Sequence, residues 1–209
     1  MTSSQPHSPQ DLASTARRLN ARNGPDWPAL VLLTDDTRLA DPREAIKSLP
    51  QKSAVLFRHY DDPERAGHLA RWAGLARDHG HAVWVAKDVD LARRLNADVL
   101  HMPEGLMGEI NAIQNRHPGL TISAAAHSAD AVMKAANLSL GAVLISPVFS
   151  TRSHPGAEPL GPDKASALAR LAHECGMRAY ALGGIRDETA VLLAGSHFTG
   201  LAAIDALAG

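Results

Sequence analysis

A single-domain α/β barrel of the TIM type is the fold this 209-residue chain predicts. Three observations lead there. Some eight short apolar runs recur along the chain, each followed by a segment of helical period. Several runs are continuously apolar rather than alternating, as strands covered on both faces by helices are. The turn after the first run, Thr34-Asp35-Asp36, lacks the glycines an open nucleotide-binding sheet would place there. The length lies at the lower end of the usual range for such barrels, about 200–400 residues.

In chain order, the predicted strands are Leu30–Leu33, Ala54–Phe57, Ala82–Val85, Val99–Leu100, Leu120–Ser123, Ala142–Ile145, Ala179–Leu182 and Thr199–Leu201. Between them, Pro63–His79 places Ala66, Leu69, Ala70, Ala73 and Ala76 at helical spacing behind an Asp61-Asp62-Pro63 start signal. Asp88–Leu95 repeats the pattern with Val89, Leu91, Ala92 and Leu95. Pro162–Cys175 opens on Gly-Pro, carries Ala165, Leu168, Ala169 and Ala172, and stops at Gly176. Shorter helices are expected at Asp41–Leu49, Gly105–His117, Ser128–Ala136, Asp187–Ala194 and Ala203–Leu207. Residues 1–22 are read as a tail with an extra helix over Asp11–Asn20, and residues 23–209 as the barrel domain.

Composition narrows the function classes. Hydrophobic residues make up 45% and charged residues 21%, the balance of an ordinary folded domain. The net charge of −1 gives no basic excess for displacing phosphate counterions, so no nucleic-acid partner is expected. No apolar run approaches the roughly 20 residues of a membrane span. Cys175 is the sole cysteine, which excludes an intramolecular disulfide and a cysteine-rich zinc site; within a helical pattern it reads as a small core residue rather than a nucleophile. MTSSQPHSPQ has neither a basic start nor an apolar stretch, so a cytoplasmic protein with a frayed start is expected.

A barrel of this kind works at the C-terminal ends of its strands, where the loops converge on the axis. Those ends hold Thr34 and Asp35, Arg58 and His59, Lys87 and Asp88, His101 and Glu104, His127, Ser146 to Ser153, Gly183 and Gly184, and Ala202 to Asp205. The long hydroxyl-rich and basic loop after the sixth strand, with Thr151, Ser153 and His154, is suited to closing over an anion. Gly183-Gly184, with Ala202 and Ala203 after the eighth strand, stand where such barrels bind phosphate through backbone N–H groups. His127, behind Ala124-Ala125-Ala126, has room to project into the mouth and the chemistry of a proton shuttle. The competing reading makes it a helix N-terminal residue beside the cap Ser128. Arg58 is expected to bind the ligand, and His101 to form a second polar wall or, as the competing reading, a satisfied core histidine.

These segments resemble the thiamine phosphate synthase / TenI family over nearly the whole chain, from Ala29 to Leu207. Gly141-Ala142-Val143-Leu144-Ile145-Ser146-Pro147-Val148-Phe149-Ser150-Thr151 resembles the family's GADY-GPxFxT stretch. Asn96-Ala97-Asp98-Val99-Leu100-His101 resembles GADGVHL, Ala126-His127-Ser128 resembles S-x-H-S, and Ala181-Leu182-Gly183-Gly184-Ile185 resembles AIGGI. The resemblance implies a TIM barrel and one of two chemistries. The synthase joins a pyrimidine diphosphate to a thiazole phosphate with loss of pyrophosphate, using Mg²⁺ held by acidic residues. The TenI branch includes a metal-free thiazole tautomerase that moves a proton through a histidine.

The chain departs from the synthase pattern. Leu56-Phe57-Arg58-His59-Tyr60 keeps only the arginine of Gln-x-Arg-Glu-Lys, and Ala86-Lys87 stands where an acidic ligand ends the third strand. Pro103-Glu104-Gly105-Leu106 lacks the second acidic ligand, and Thr151-Arg152-Ser153-His154 has histidine for a phosphate-pairing lysine. The expected function is therefore a TenI-like isomerase for a thiazole phosphate. His127 is its catalytic residue, Arg58, His101, Thr151, Ser153 and His154 bind the substrate, and Gly183, Gly184, Ala202 and Ala203 bind the phosphate. No metal or other cofactor is expected. A divergent synthase using Mg²⁺, Arg58, Glu104, Arg152 and His154 is the first alternative, and a non-catalytic binding homologue the second. A homodimer is compatible with this class of barrel.

Overall fold

Eight parallel strands close into one barrel in sequential order, with the first strand pairing with the last. In the computed structural model, which describes residues 9–151 and 158–208, they are β1 (Leu30–Leu33), β2 (Ala54–Phe57), β3 (Ala82–Ala86), β4 (Val99–Met102), β5 (Ile122–Ala126), β6 (Ala142–Ile145), β7 (Arg178–Leu182) and β8 (Gly200–Ala203). The helices are α1 (Pro9–Asn23), α2 (Arg43–Ser48), α3 (Arg65–Asp78), α4 (Val89–Arg94), α5 (Ile110–Arg116), α6 (Ala129–Asn137), α7 (Gly161–Glu174) and α8 (Asp187–Ala190). No helix among the described residues is long and apolar enough to cross a membrane.

The continuous apolar runs follow from a two-sided burial. Along each strand, alternate residues enter two separate cores. Val31, Leu33, Leu56, Trp84, Leu144 and Tyr180 fill the lumen, while Leu32, Val55, Phe57, Val85, Val143 and Ala181 meet the helices. In the lumen, Trp84 and Tyr180 meet edge to face at 5.5 Å, and Trp27 meets Trp84 edge to face at 6.0 Å. The Tyr180 hydroxyl donates to the Pro28 carbonyl at 2.8 Å. These side chains close the barrel axis at this end.

Several expected boundaries move, and Cys175, expected in the core, is exposed where α7 ends. β5 begins at Ile122 rather than Leu120 and runs through three alanines to Ala126. Alanine has low strand propensity, but ladders on both sides (His101 beside Ser123, Ala126 beside Ile145) override it. The segment after β4 divides into a 3-10 turn, Glu104–Glu109, and α5. The segment after β7 is likewise α8 followed by a 3-10 turn, Val191–Leu193.

The last strand is followed only by a three-residue 3-10 turn, Asp205–Leu207. α1 covers the gap, packing against β8 and α8 with Leu12, Ala16 and Leu19 buried. Asn23 fixes its end by donating from Nδ2 to the Phe198 carbonyl at 2.8 Å and the Ser196 carbonyl at 3.2 Å. Residues set apart from the barrel at the level of sequence thus supply one of its walls.

Candidate active site

At the C-terminal end of the strands, the axis opens into a cavity of about 610 Å³. Its walls are Arg38 and Arg58 from the β1 and β2 loops, His127 after β5, Ser146, Pro147, Ser150 and Thr151 after β6, Gly184 to Arg186 after β7, and Ala203 to Ala206 at the end of β8. A larger cleft of about 790 Å³ lies off the axis, between Tyr60, Arg65 and Lys87 on one side and α5 on the other. The axial position, where loops from both ends of the sheet order meet, marks the first cavity as the site.

The β6 and β7 loops are fitted to each other. The Val148 N–H donates to the Leu182 carbonyl at 2.9 Å, and the Phe149 N–H to the Gly183 carbonyl at 3.0 Å. Gly183 and Gly184 take φ values of +96° and +64°. A Cβ on Gly184 would lie 2.5 Å from the Ser150 carbonyl oxygen, so glycine is required there by the neighbouring loop as well as by φ. Thr189 Oγ1 closes the turn from below by donating to the Gly184 carbonyl at 2.8 Å. Among the described residues, the N–H groups of Gly184, Ile185 and Ala206 have no hydrogen-bond acceptor.

His127 follows β5 directly, and its neighbour Ser128 caps α6 by accepting the Ala131 N–H at 3.1 Å. Both readings of this stretch therefore hold together: the serine caps, and the histidine, half exposed, lines the cavity. Its Nδ1 is hydrogen-bonded to the Ser146 carbonyl. A carbonyl only accepts, so Nδ1 is the donor of this contact; the Ser146 hydroxyl lies 3.4 Å from the same nitrogen. The His127 N–H donates to Glu104 Oε2 at 2.9 Å, and that oxygen lies 3.9 Å from Nε2.

The opposite wall is built from ion pairs. Asp35 accepts from Arg38 Nε at 2.9 Å and Nη2 at 2.6 Å, and from Arg58 Nη2 at 3.3 Å. Partial burial pushes the Asp35 carboxyl up, but the Arg38 N–H and guanidinium and the Thr37 N–H outweigh it and hold the pKa at about 2. Burial lowers the Arg58 guanidinium, opposed by the neighbouring Tyr60 and Asp35. Behind this wall, buried Thr34 meets His59 Nδ1 at 3.0 Å.

Of the residues singled out from sequence, Arg58, His127, Thr151, Gly184 and Ala203 border this one cavity. Gly183 supports the turn rather than lining the space. Ala202 and His101 do not reach it either, because strand alternation turns both into the lumen. The His101 Nδ1 lies 3.0 Å from Ser123 Oγ, and burial together with the Arg58 charge holds its pKa at about 3, so the ring is neutral. Ser153, His154 and Arg152 lie outside the described residues. Ser146 stood among the strand-end residues without a role; Arg38, Arg186 and Ala206 were not singled out, though Arg38 carried a signal, since it lies in the loop after the first strand.

A family model described as thiamine monophosphate synthase, TMP-TENI, matches residues 30–207. The chain belongs to that family. A curated relative, "Putative thiamine-phosphate synthase 2" of Aquifex aeolicus, is 30% identical over 99 residues, or 47% of this chain. The match spans about half, 51%, of that relative's length. The solved structure of a thiamine phosphate pyrophosphorylase from Pyrococcus furiosus superposes with a TM-score of 0.72 at 22% identity, covering 86% of this chain and 87% of that one. At that identity the likeness speaks to the fold alone.

The family resemblance implies Mg²⁺ held by carboxylates after β3 and β4, and the donors present do not fit it. Lys87 ends β3 with its ammonium 5.8 Å over the Tyr60 ring. Asp88 accepts the Leu91 N–H at 2.8 Å as the cap of α4 and Arg65 Nη1 at 2.9 Å. Glu104 is engaged by the His127 main chain. Among the described residues, no group of three or more His, Cys, Asp or Glu is placed to hold a metal ion.

Proposed function

We propose that this family member is a TenI-like thiazole tautomerase that moves a proton on a carboxythiazole phosphate without a metal. The observation that carries the reading is the placement of His127, which lines the axial cavity with its Nδ1 hydrogen-bonded to the Ser146 carbonyl. In this reading Nε2 is the base, at the wall of a cavity of ligand size. The N–H groups of Gly184, Ile185 and Ala206 are suited to the phosphate, and Arg58 and Thr151 to the rest of the ligand. In the reaction, Nε2 takes the proton from one ring atom while that bond's electron pair passes into the heterocycle. Return of the proton to another ring atom regenerates the neutral imidazole, and nothing is consumed.

The family's synthase chemistry supports the reading less well, because Asp88 and Glu104 are committed to a helix cap, an ion pair and a main-chain N–H. The test is NMR-monitored isomerisation of the carboxythiazole phosphate in the presence of EDTA. His127→Ala is expected to lower kcat by about 10²–10⁴-fold, the range for a lost general base, with thiazole phosphate still bound. Mg²⁺-dependent release of pyrophosphate from the two coupling substrates would overturn the proposal in favour of the synthase. Tight thiazole phosphate binding with no turnover would leave a binding protein.

A further inference from the structure

Glu104 and His127 come from different elements, the 3-10 turn after β4 and the end of β5, yet one carboxylate oxygen meets His127 twice. Oε2 accepts the His127 main-chain N–H at 2.9 Å and stands 3.9 Å from its Nε2. The first contact sets where the residue leaves β5; the second sets what the ring faces. Arg38 and Arg58, paired with Asp35, Arg186, paired with Glu188, and Asp205 line the same cavity, so Glu104 is the carboxylate that meets the ring of His127 directly. Glu104 is a partly buried acid on the histidine's own side, where screening by water is reduced.

We infer that Glu104 is a positioning residue of the proposed proton transfer: it aims His127 through the main chain and opposes the charge its ring acquires. The inference rests on the tautomerase reading. When Nε2 receives the ligand proton, the imidazolium keeps Nδ1–H on the Ser146 carbonyl and presents a new Nε2–H to the carboxylate. A small rotation brings that N–H into a charge-assisted hydrogen bond. Release of the proton to the second ring atom ends the contact, so Glu104 itself need not be protonated.

The two contacts separate by substitution. In Glu104→Gln the amide oxygen still accepts the His127 N–H but carries no charge; Glu104→Ala loses both. Steady-state isomerisation and amide hydrogen exchange at His127 are to be measured on the full chain and both variants. The expected result for Glu104→Gln is a kcat about 10–100-fold lower, with KM within about twofold and exchange protection kept. Glu104→Ala is expected to show a similar kcat loss together with about tenfold or more faster exchange. Wild-type kcat in Glu104→Gln, or a loss appearing only as raised KM, overturns the inference while leaving the tautomerase reading intact. No turnover by the unmodified chain overturns both.

Discussion

On the β1–β4 side of the mouth, Asp35 is shared by Arg38 and Arg58, Asp88 by the start of α4 and Arg65, and Thr34 by His59. On the β5–β8 side, the N–H groups of Gly184, Ile185 and Ala206 lack acceptors among the described residues, and His127 lines the cavity, half exposed. One half of the mouth has satisfied its charges internally, and the other keeps its hydrogen-bonding capacity for a ligand. A carboxylate already accepting two or three hydrogen bonds is a poor recruit for a cation, since each bond must be broken to free it. Asp88 and Glu104 are held in this way, by a helix cap, an ion pair and a main-chain N–H.

The sharpest way to break the contrast is to crowd the open half. Gly184→Ala would set a methyl group against the Ser150 carbonyl at a positive φ, and is expected to cost about 2–4 kcal/mol in urea unfolding. Ligand affinity should fall with it; an unchanged midpoint would mean the two loops yield freely. Next in size is the closed half's dependence on acid. The folded Asp35 pKa of about 2 lies below its ordinary value of 3.8. Its contribution is complete above the ordinary value and lost as pH falls through the folded one, an order of 2 kcal/mol by linkage. Asp35→Asn should remove that loss from the stability curve between about pH 4 and pH 2. Asp41, with the same depressed value but solvent-exposed, should show a smaller effect on substitution. The smallest effect concerns the floor. Ser123→Ala strips the buried His101 of its partner and should cost about 1 kcal/mol, with ligand binding unchanged. A large loss of affinity instead would place His101 in contact with the ligand.

Legibility in the sequence followed what each feature depends on. β1, β2 and β6 were readable to the residue because their apolar runs answer to burial on both faces, a property each run carries in itself. β5 was not, since its alanines become strand only through neighbours on both sides. His127, Thr151 and Gly184 were legible because they stand at strand ends and face the axis. His101 also stands at a strand end, but it lies two residues beyond lumen-facing Val99, and that parity turns it inward. The double contact of Glu104 had no local signal: it depends on how far a side chain reaches across to the next strand.

α1 gives the molecule a particular kind of seam. The Leu12 N–H donates to Asp187 Oδ1 across 175 positions, and Thr199 Oγ1 to the Asn23 carbonyl across 176. Contacts of such span carry the largest loop-closure entropy, and they slow folding when they must form early. α1 therefore docks only once β8 has formed. Until the two meet, the outer face of β8 is bare, and the ring of strands is open at the one joint that no local interaction can close.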